Sequence, residues 1–146
     1  MRRALAAAFG AVALALPNAN AWAAATPQST APKTKVVTAT KTFTGTAAQA
    51  DRWGDVEVTV VVKKTTTTNL TTKKKTVKRK ITAVKVPVYP NHTDRSVFIN
   101  QQALPMLIQE TIQAQSSAIN LVSGATDTSN AFQQSLQSAI LTAKAW

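Results

Sequence analysis

A chain of 146 residues suffices for one domain and is short for two. Seventeen lysines and arginines against six acids leave a formal charge of +11, which points to a nucleic acid, a membrane surface or an acidic partner. The lack of cysteine excludes disulfides, thiolate-held iron–sulfur clusters and thioether-attached haem, and a lone histidine, His92, excludes a multi-histidine metal site within one chain.

The N-terminus reads as an export signal. Arg2 and Arg3 precede an apolar run from Ala4 to Leu16, which Pro17 ends. That run is shorter than the roughly 17 to 25 residues that a spanning helix needs. Small-residue cleavage sites end at Ala21, Ala23 and Ala25. We therefore expect a signal peptide over residues 1–25, with the mature chain starting between Trp22 and Thr26; the competing reading is a retained anchor. An exported protein rarely meets nucleic acid, so no nucleic-acid partner is expected.

Residues 26–40 are rich in Pro, Thr, Ser and Lys and predict a flexible linker, although "VVTATKTFTGTA" from Val36 onward is β-prone. The folded domain is expected over 41–146. Val56, Val58, Val60 and Val62 alternate along a strand, with Glu57, Thr59, Val61 and Lys63 on its wetter face. Val84, Val86 and Val88 mark another strand, where Pro87 indicates an edge or an end.

Between these strands the run 63–80, from Lys63 to Lys80, carries eight positive charges. Its threonines favour a protruding ribbon. It reads either as a docking surface for an anionic membrane or cell wall, or as a solvated insertion with no partner.

Leu104, Leu107, Ile108 and Ile112 share one helical face. Pro105 predicts a split, with a short helical piece over 96–102 and a second helix from Pro105 to about Ser116. Phe132, Leu136 and Ile140 recur every four residues and predict a last helix over 129–143. The order β, β, β, α, α predicts an α+β fold, an antiparallel sheet with helices packed on one face.

The stretch "INLVSGATDTSNAF" sits at the mouth of that last helix. Thr128 is a suitable N-cap. One hydroxyl would serve for capping, yet Ser123, Thr126, Thr128 and Ser129 supply four around Gly124 and Ala125. Gly124 permits positive φ and close approach to the backbone. A helix N-terminus offers free N–H groups and partial positive charge, which suit a phosphate. Two readings stay open on these grounds, a well-capped turn and an anion seat.

"VSGATDTS" resembles the S/T-G-A-T element of the bacterial FMN-binding domain family, which includes the C subunit of the Na⁺-translocating NADH:quinone oxidoreductase and the G subunit of the Rnf complex. "KTFTGTA", "RWGDVEVTVVV", "ITAVKVPVYP", "DRSVFINQQALPMLIQETIQAQSSAI" and "NAFQQSLQSAI" are similar, in this order, to blocks of small exported members. The resemblance runs from about Lys41 to Ala143. It implies FMN as cofactor and an electron-transfer role with a membrane or cell-surface redox partner. In covalent members a flavin transferase joins the FMN phosphate to the last Thr of this element, a position that matches Thr126. The family's acidic residue six positions earlier is Asn120 here, so Asn120→Asp is expected to raise covalent loading.

Trp53 and Tyr89 are candidates for stacking on the flavin ring, and as candidates for sheet-edge or core aromatics they have an ordinary alternative. Arg95 matches the family's block before "IN" and is a candidate contact to phosphate or to the ring's carbonyl edge. Asn100 and Gln115 are candidates for the ring edge or for polar caps between helices. Ser123, His92 and Asp94 make no hydrolase triad, since no G-x-S-x-G elbow is present. The site expected is thus Ser123, Gly124, Ala125, Thr126, Thr128 and Ser129, with Trp53, Tyr89 and Arg95. The rival reading is an exported basic module that has lost flavin and adheres through the run 63–80.

Overall fold

A computed structural model describes residues 33–146. The expected signal peptide and residues 26–32 of the expected linker lie outside these residues. The architecture turns on β3 (Asp55–Asn69). β1 (Thr34–Thr44) pairs with it antiparallel from Thr34↔Asn69 to Thr44↔Thr59. A two-residue strand, β2 (Ala48–Gln49), resumes the pairing at Ala48↔Val56. β4 (Lys75–Val88) also pairs with β3 and with no other strand, so it forms an edge. α1 (Asp94–Ala114) packs against β4, and α2 (Thr126–Ala145) packs chiefly against β3. The fold is α+β, an antiparallel sheet with two helices.

Period-2 alternation explains the core. Val56, Val58, Val60 and Val62 are buried beneath the helices, while Val61 and the side chains beside it stay partly wet. Full burial of one such side chain stabilises the fold by roughly 1.5–3 kcal/mol. α2 answers with Ala131, Phe132, Leu136, Ala139, Ile140 and Ala143.

Small residues at every fourth position bring α2 close to the sheet. Ser135 lies in that row and is wholly buried. Its hydroxyl accepts a hydrogen bond from Val58 N at 2.9 Å, where the gap between β1 and β2 leaves that donor without a strand partner. Gly45 N donates to Val58 O at 2.8 Å beside it. A Cβ on Gly45 would sit 1.9 Å from the Ser135 carbonyl oxygen, so the helix–strand approach requires glycine there.

β4 is bent by two irregularities. One lies between Val61↔Ala83 and Val62↔Ile81, where Thr82 is the extra residue and its hydroxyl donates to Val61 O. The other falls beside Pro87, near the end of this edge strand, as the missing N–H predicts.

Three expectations are corrected. The linker expected over 26–40 is strand from Thr34 onward, because β1 finds a full antiparallel partner in β3. The split at Pro105 does not occur; α1 is one helix through Pro105. Pro105 cannot donate to the Gln101 carbonyl, but both residues are exposed and water can serve that carbonyl. Burial of Leu104, Leu107 and Thr111 holds the helix together across the defect.

The third correction concerns α2, which starts at Thr126 rather than Ser129 and has Ala125 as its N-cap. Ser129 N and Ser129 Oγ both bond to Ala125 O, which closes the first turn three residues early. Thr128 is therefore a buried residue of the first turn rather than the cap.

Beyond Phe43, Val62 and Ile81 the strands continue without a core. β1, β3 and β4 form a three-stranded arm that ends in the turn Asn69–Lys74. Asn69 Oδ1 accepts from Thr71 N and Thr72 N, and Lys73 adopts φ +58°. At the base of the arm, Lys64 Nζ and Arg79 Nη2 donate to the main-chain oxygen of Trp146 at 2.8 and 2.6 Å. The Trp146 ring lies 5.6 Å from Phe43, with Lys64 over its face.

Candidate functional site

The loop between the helices is pinned from both sides. Gln115 adopts a left-handed conformation at the end of α1 and turns its amide onto the β4 edge. There it accepts from Ile81 N at 2.7 Å and donates to Ile81 O at 2.9 Å. Gln133 of α2 donates to Ile119 O. Asn120 N and Asn120 Nδ2 both donate to Glu110 Oε1, at 2.9 and 2.6 Å. Val122 N donates to Ser129 Oγ.

These bonds deliver the chain to Gly124, whose φ of +80° is open to glycine and costly to other residues. Ala125 N closes the turn on Val122 O, and α2 begins. No side chain caps it. The N–H groups of Thr126, Asp127 and Thr128, which a helix start leaves without internal partners, are therefore available to a ligand or water. Their alignment with the axis of a 20-residue helix adds partial positive charge.

This helix start forms one wall of a shallow open cleft. Arg95, Ser96, Ile99 and Asn100 of α1 form another wall, and Trp53 and Pro90 complete it. Trp53 ends a short 3-10 turn before Gly54, which has φ +119°. The Arg52 guanidinium lies 5.0 Å from the Trp53 ring centroid. Thr126 is exposed, so its hydroxyl is accessible.

Asn100, a candidate from the sequence, is in the lining of the cleft. It is 1% exposed. Its Nδ2 donates to the buried Pro90 carbonyl at 2.7 Å, which fixes the amide orientation by chemistry. Oδ1 is left buried with no hydrogen-bond partner among the described residues. Buried polar atoms are normally satisfied. An orphan acceptor in a residue that lines a cleft fits a ligand carrying an N–H donor.

The cleft brings together six of the expected residues: Gly124, Ala125, Thr126, Thr128, Trp53 and Arg95. Ser123 is exposed outside its lining. Ser129 is buried, with its hydroxyl engaged by Val122 N and Ala125 O. Tyr89 is packed against the core rather than in the cleft. Gln115 caps the edge of β4 and does not line it; nor do His92 and Asp94. Pro90 and Ile99 were not singled out from the sequence, where an apolar residue beside a strand end or inside a helix carries no functional mark. No cluster of three metal-ligating side chains is found among the described residues.

An uncapped helix N-terminus facing a cleft, together with an orphan buried acceptor in a lining residue, suits an anionic small molecule that also bears an N–H group. The α+β domain around it is matched over residues 51–141 by the FMN-binding domain family. The chain belongs to that family, and its cofactor is FMN. Comparison with curated proteins finds no match. The residues present fit the cofactor. FMN carries a phosphate suited to the start of α2 and a ring imide N–H suited to Asn100 Oδ1, with Trp53 and Arg95 available as aromatic and cationic contacts.

Proposed function

We propose that this is an exported FMN-carrying electron-transfer protein whose FMN phosphate is seated at the N-terminus of α2 and esterified to Thr126. The observation that carries this reading is the position of Thr126, exposed, first in an uncapped helix and in the lining of the cleft. The bound flavin supplies the redox chemistry, and the protein holds it and leaves one side open to a membrane or cell-surface redox partner.

Attachment requires a flavin transferase that presents an activated flavin nucleotide. Thr126 Oγ bonds to phosphorus, the bond to the leaving group breaks, and the hydroxyl proton departs with that group. No electrons are transferred in this step. Relative to free FMN and free threonine side chain, the product lacks one water. The helix N–H groups of residues 126–128 offset the remaining phosphate charge. Export supports a covalent link, because a tethered flavin is not lost by diffusion.

Glu110 adds support. The acidic side chain that the resemblance places at 120 is replaced by Asn120, yet the Glu110 carboxylate from α1 is hydrogen-bonded to that residue. A negative group is thus presented at this point of the loop by a different element.

The test is the mass and visible spectrum of the protein exported by its host. A yellow protein, cleaved between Trp22 and Thr26 and heavier by one FMN less water, is expected. Flavin released on denaturation would sink the ester and keep the seat. A colourless protein that fails to take up added FMN would overturn the carrier reading in favour of a basic module without flavin.

A further inference from the structure

The three-stranded arm is chemically unlike the rest of the molecule. Every charged side chain on it is cationic: Lys33, Lys35 and Lys41 on or beside β1, Lys63 and Lys64 on β3, and the lysines and Arg79 of residues 73–80. The strand register sets Lys63 directly opposite Lys80, and Lys64 opposite Arg79. Like charges facing each other across a ladder are destabilising. Lys64 and Arg79 are relieved by the Trp146 oxygen they share. For Lys63, Lys80 and the lysines of the tip, no salt bridge forms among the described residues. A chain that keeps such an arrangement gains from an external anion.

The tip adds a second property. Antiparallel alternation places Val37, Thr66 and Val77 in one row across the sheet, and Lys35, Thr68 and Lys75 in the next row outward. Leu70 stands at the turn, its N–H bonded to Lys33 O. Val37 is 51% exposed, Leu70 44% and Val77 38%. Aliphatic side chains are thus about half exposed between lysines, near the end of an arm that reaches roughly 20 Å beyond Val62. A soluble polyanion would use the charges and have no use for the aliphatic row. An anionic bilayer uses both, with lysines at the phosphate layer and valine and leucine in the interface just below.

We propose that the outer part of this arm docks the protein on an anionic lipid bilayer along the face that carries Val37 and Val77, with these side chains and Leu70 entering the interface and Lys35, Lys73, Lys74 and Lys75 meeting lipid phosphates. The cleft lies near the start of β3 and the tip at its other end, so docking leaves the cleft open to solution. The inference does not depend on flavin attachment.

The test is co-sedimentation of the full chain with vesicles of phosphatidylglycerol and phosphatidylcholine, compared with phosphatidylcholine alone, at low and high salt. Binding to the anionic vesicles, lost at high salt, is expected. Replacing Lys73, Lys74 and Lys75 by Gln together weakens partitioning roughly a hundredfold, since each surface lysine contributes about fivefold. Leu70→Ser weakens binding to vesicles but leaves binding to soluble polyphosphate unchanged. These positions are exposed, so far-UV circular dichroism and flavin content stay the same. Equal binding to neutral vesicles, or undiminished binding of the triple variant, would overturn the proposal. So would a Leu70→Ser variant with full vesicle affinity, which would mark the arm as a surface for soluble polyanions.

Discussion

Asn100 Nδ2 donates to the Pro90 carbonyl at 2.7 Å, and this bond leaves Asn100 Oδ1 buried and without a partner among the described residues, in a side chain that lines the cleft. One side chain therefore joins two tasks. It ties α1 to the loop after β4, and under the proposed function it offers an acceptor to the N–H of the cofactor. Asn100→Leu keeps the volume and removes both. The Pro90 carbonyl is then buried without a donor, which costs about 1–3 kcal/mol in urea unfolding. FMN affinity, read by quenching of flavin fluorescence, falls about five- to tenfold through loss of one neutral hydrogen bond. Lower stability with unchanged FMN affinity would place the cofactor's N–H elsewhere.

Glu110 and Asn120 reverse an expectation drawn from the sequence. Substituting Asp at 120 restores the family's residue type and on that ground should favour attachment. In the folded protein the new carboxylate would face Glu110 Oε1, which now accepts from both Asn120 nitrogens. Two carboxylates in this partly exposed place repel, at a cost on the order of 0.5–1 kcal/mol. Asn120→Asp is therefore expected to lower covalent loading. Glu110→Gln keeps an acceptor for Asn120 and removes the charge. It is expected to lower loading with unchanged melting temperature, if the transferase reads the charge. Both variants are checked by intact mass after co-expression with the transferase.

The legibility of this fold follows from which interactions are local. The four valines of β3 declared their strand by alternation alone, and Phe132, Leu136 and Ile140 declared α2. Gly124, Thr126 and the small residues around them were visible because a helix start makes its own demands on side-chain size and φ. The boundaries that sequence misplaced were set by distant partners. Pro105 would end a helix in isolation, and α1 passes through it because Leu104, Leu107 and Thr111 are buried on one face. The cap of α2 shifted to Ala125 because Ser129 bonds back to it. Asn100 appeared as one candidate among several polar residues of α1; only the Pro90 carbonyl, ten residues away, distinguishes it. Glu110 carried no signal at all, since its partner belongs to a loop whose path the sequence does not specify.

Ser135 and Gly45 set the distance between α2 and the sheet. Ser135→Ala removes the acceptor of Val58 N, a wholly buried donor, and is expected to lower stability by about 1–3 kcal/mol. Gly45→Ala is expected to be worse, because the clash at 1.9 Å is with the helix backbone and no side-chain rotation relieves it. A loss of about 3 kcal/mol or more is expected, at the upper end of what overpacking costs, because the helix backbone itself must move. Chemical unfolding of both variants decides this; equal losses would mean that α2 can move away from β1 at little cost. Since only the first turn of α2 lines the cleft, away from Ser135, FMN binding in the folded fraction of Ser135→Ala should remain close to normal.

Thr126→Val separates the phosphate seat from the phosphate ester. Valine matches threonine in shape and lacks only the hydroxyl, and residue 126 is exposed at the first position of α2, so the fold is expected to be unchanged within about 0.5 kcal/mol. The N–H groups of residues 126–128 and the helix dipole remain, since they belong to the backbone. Covalent FMN should therefore vanish from the intact mass, while added FMN still binds reversibly and is released on denaturation. Thr126→Ser keeps the hydroxyl and should retain attachment. Flavin still covalently bound in Thr126→Val would move the acceptor to another hydroxyl, of which Thr128 is the only other one in the cleft supplied by the first turn of α2. Loss of reversible binding as well as attachment would mean that the hydroxyl itself, rather than the open helix start, is the main contact to the phosphate.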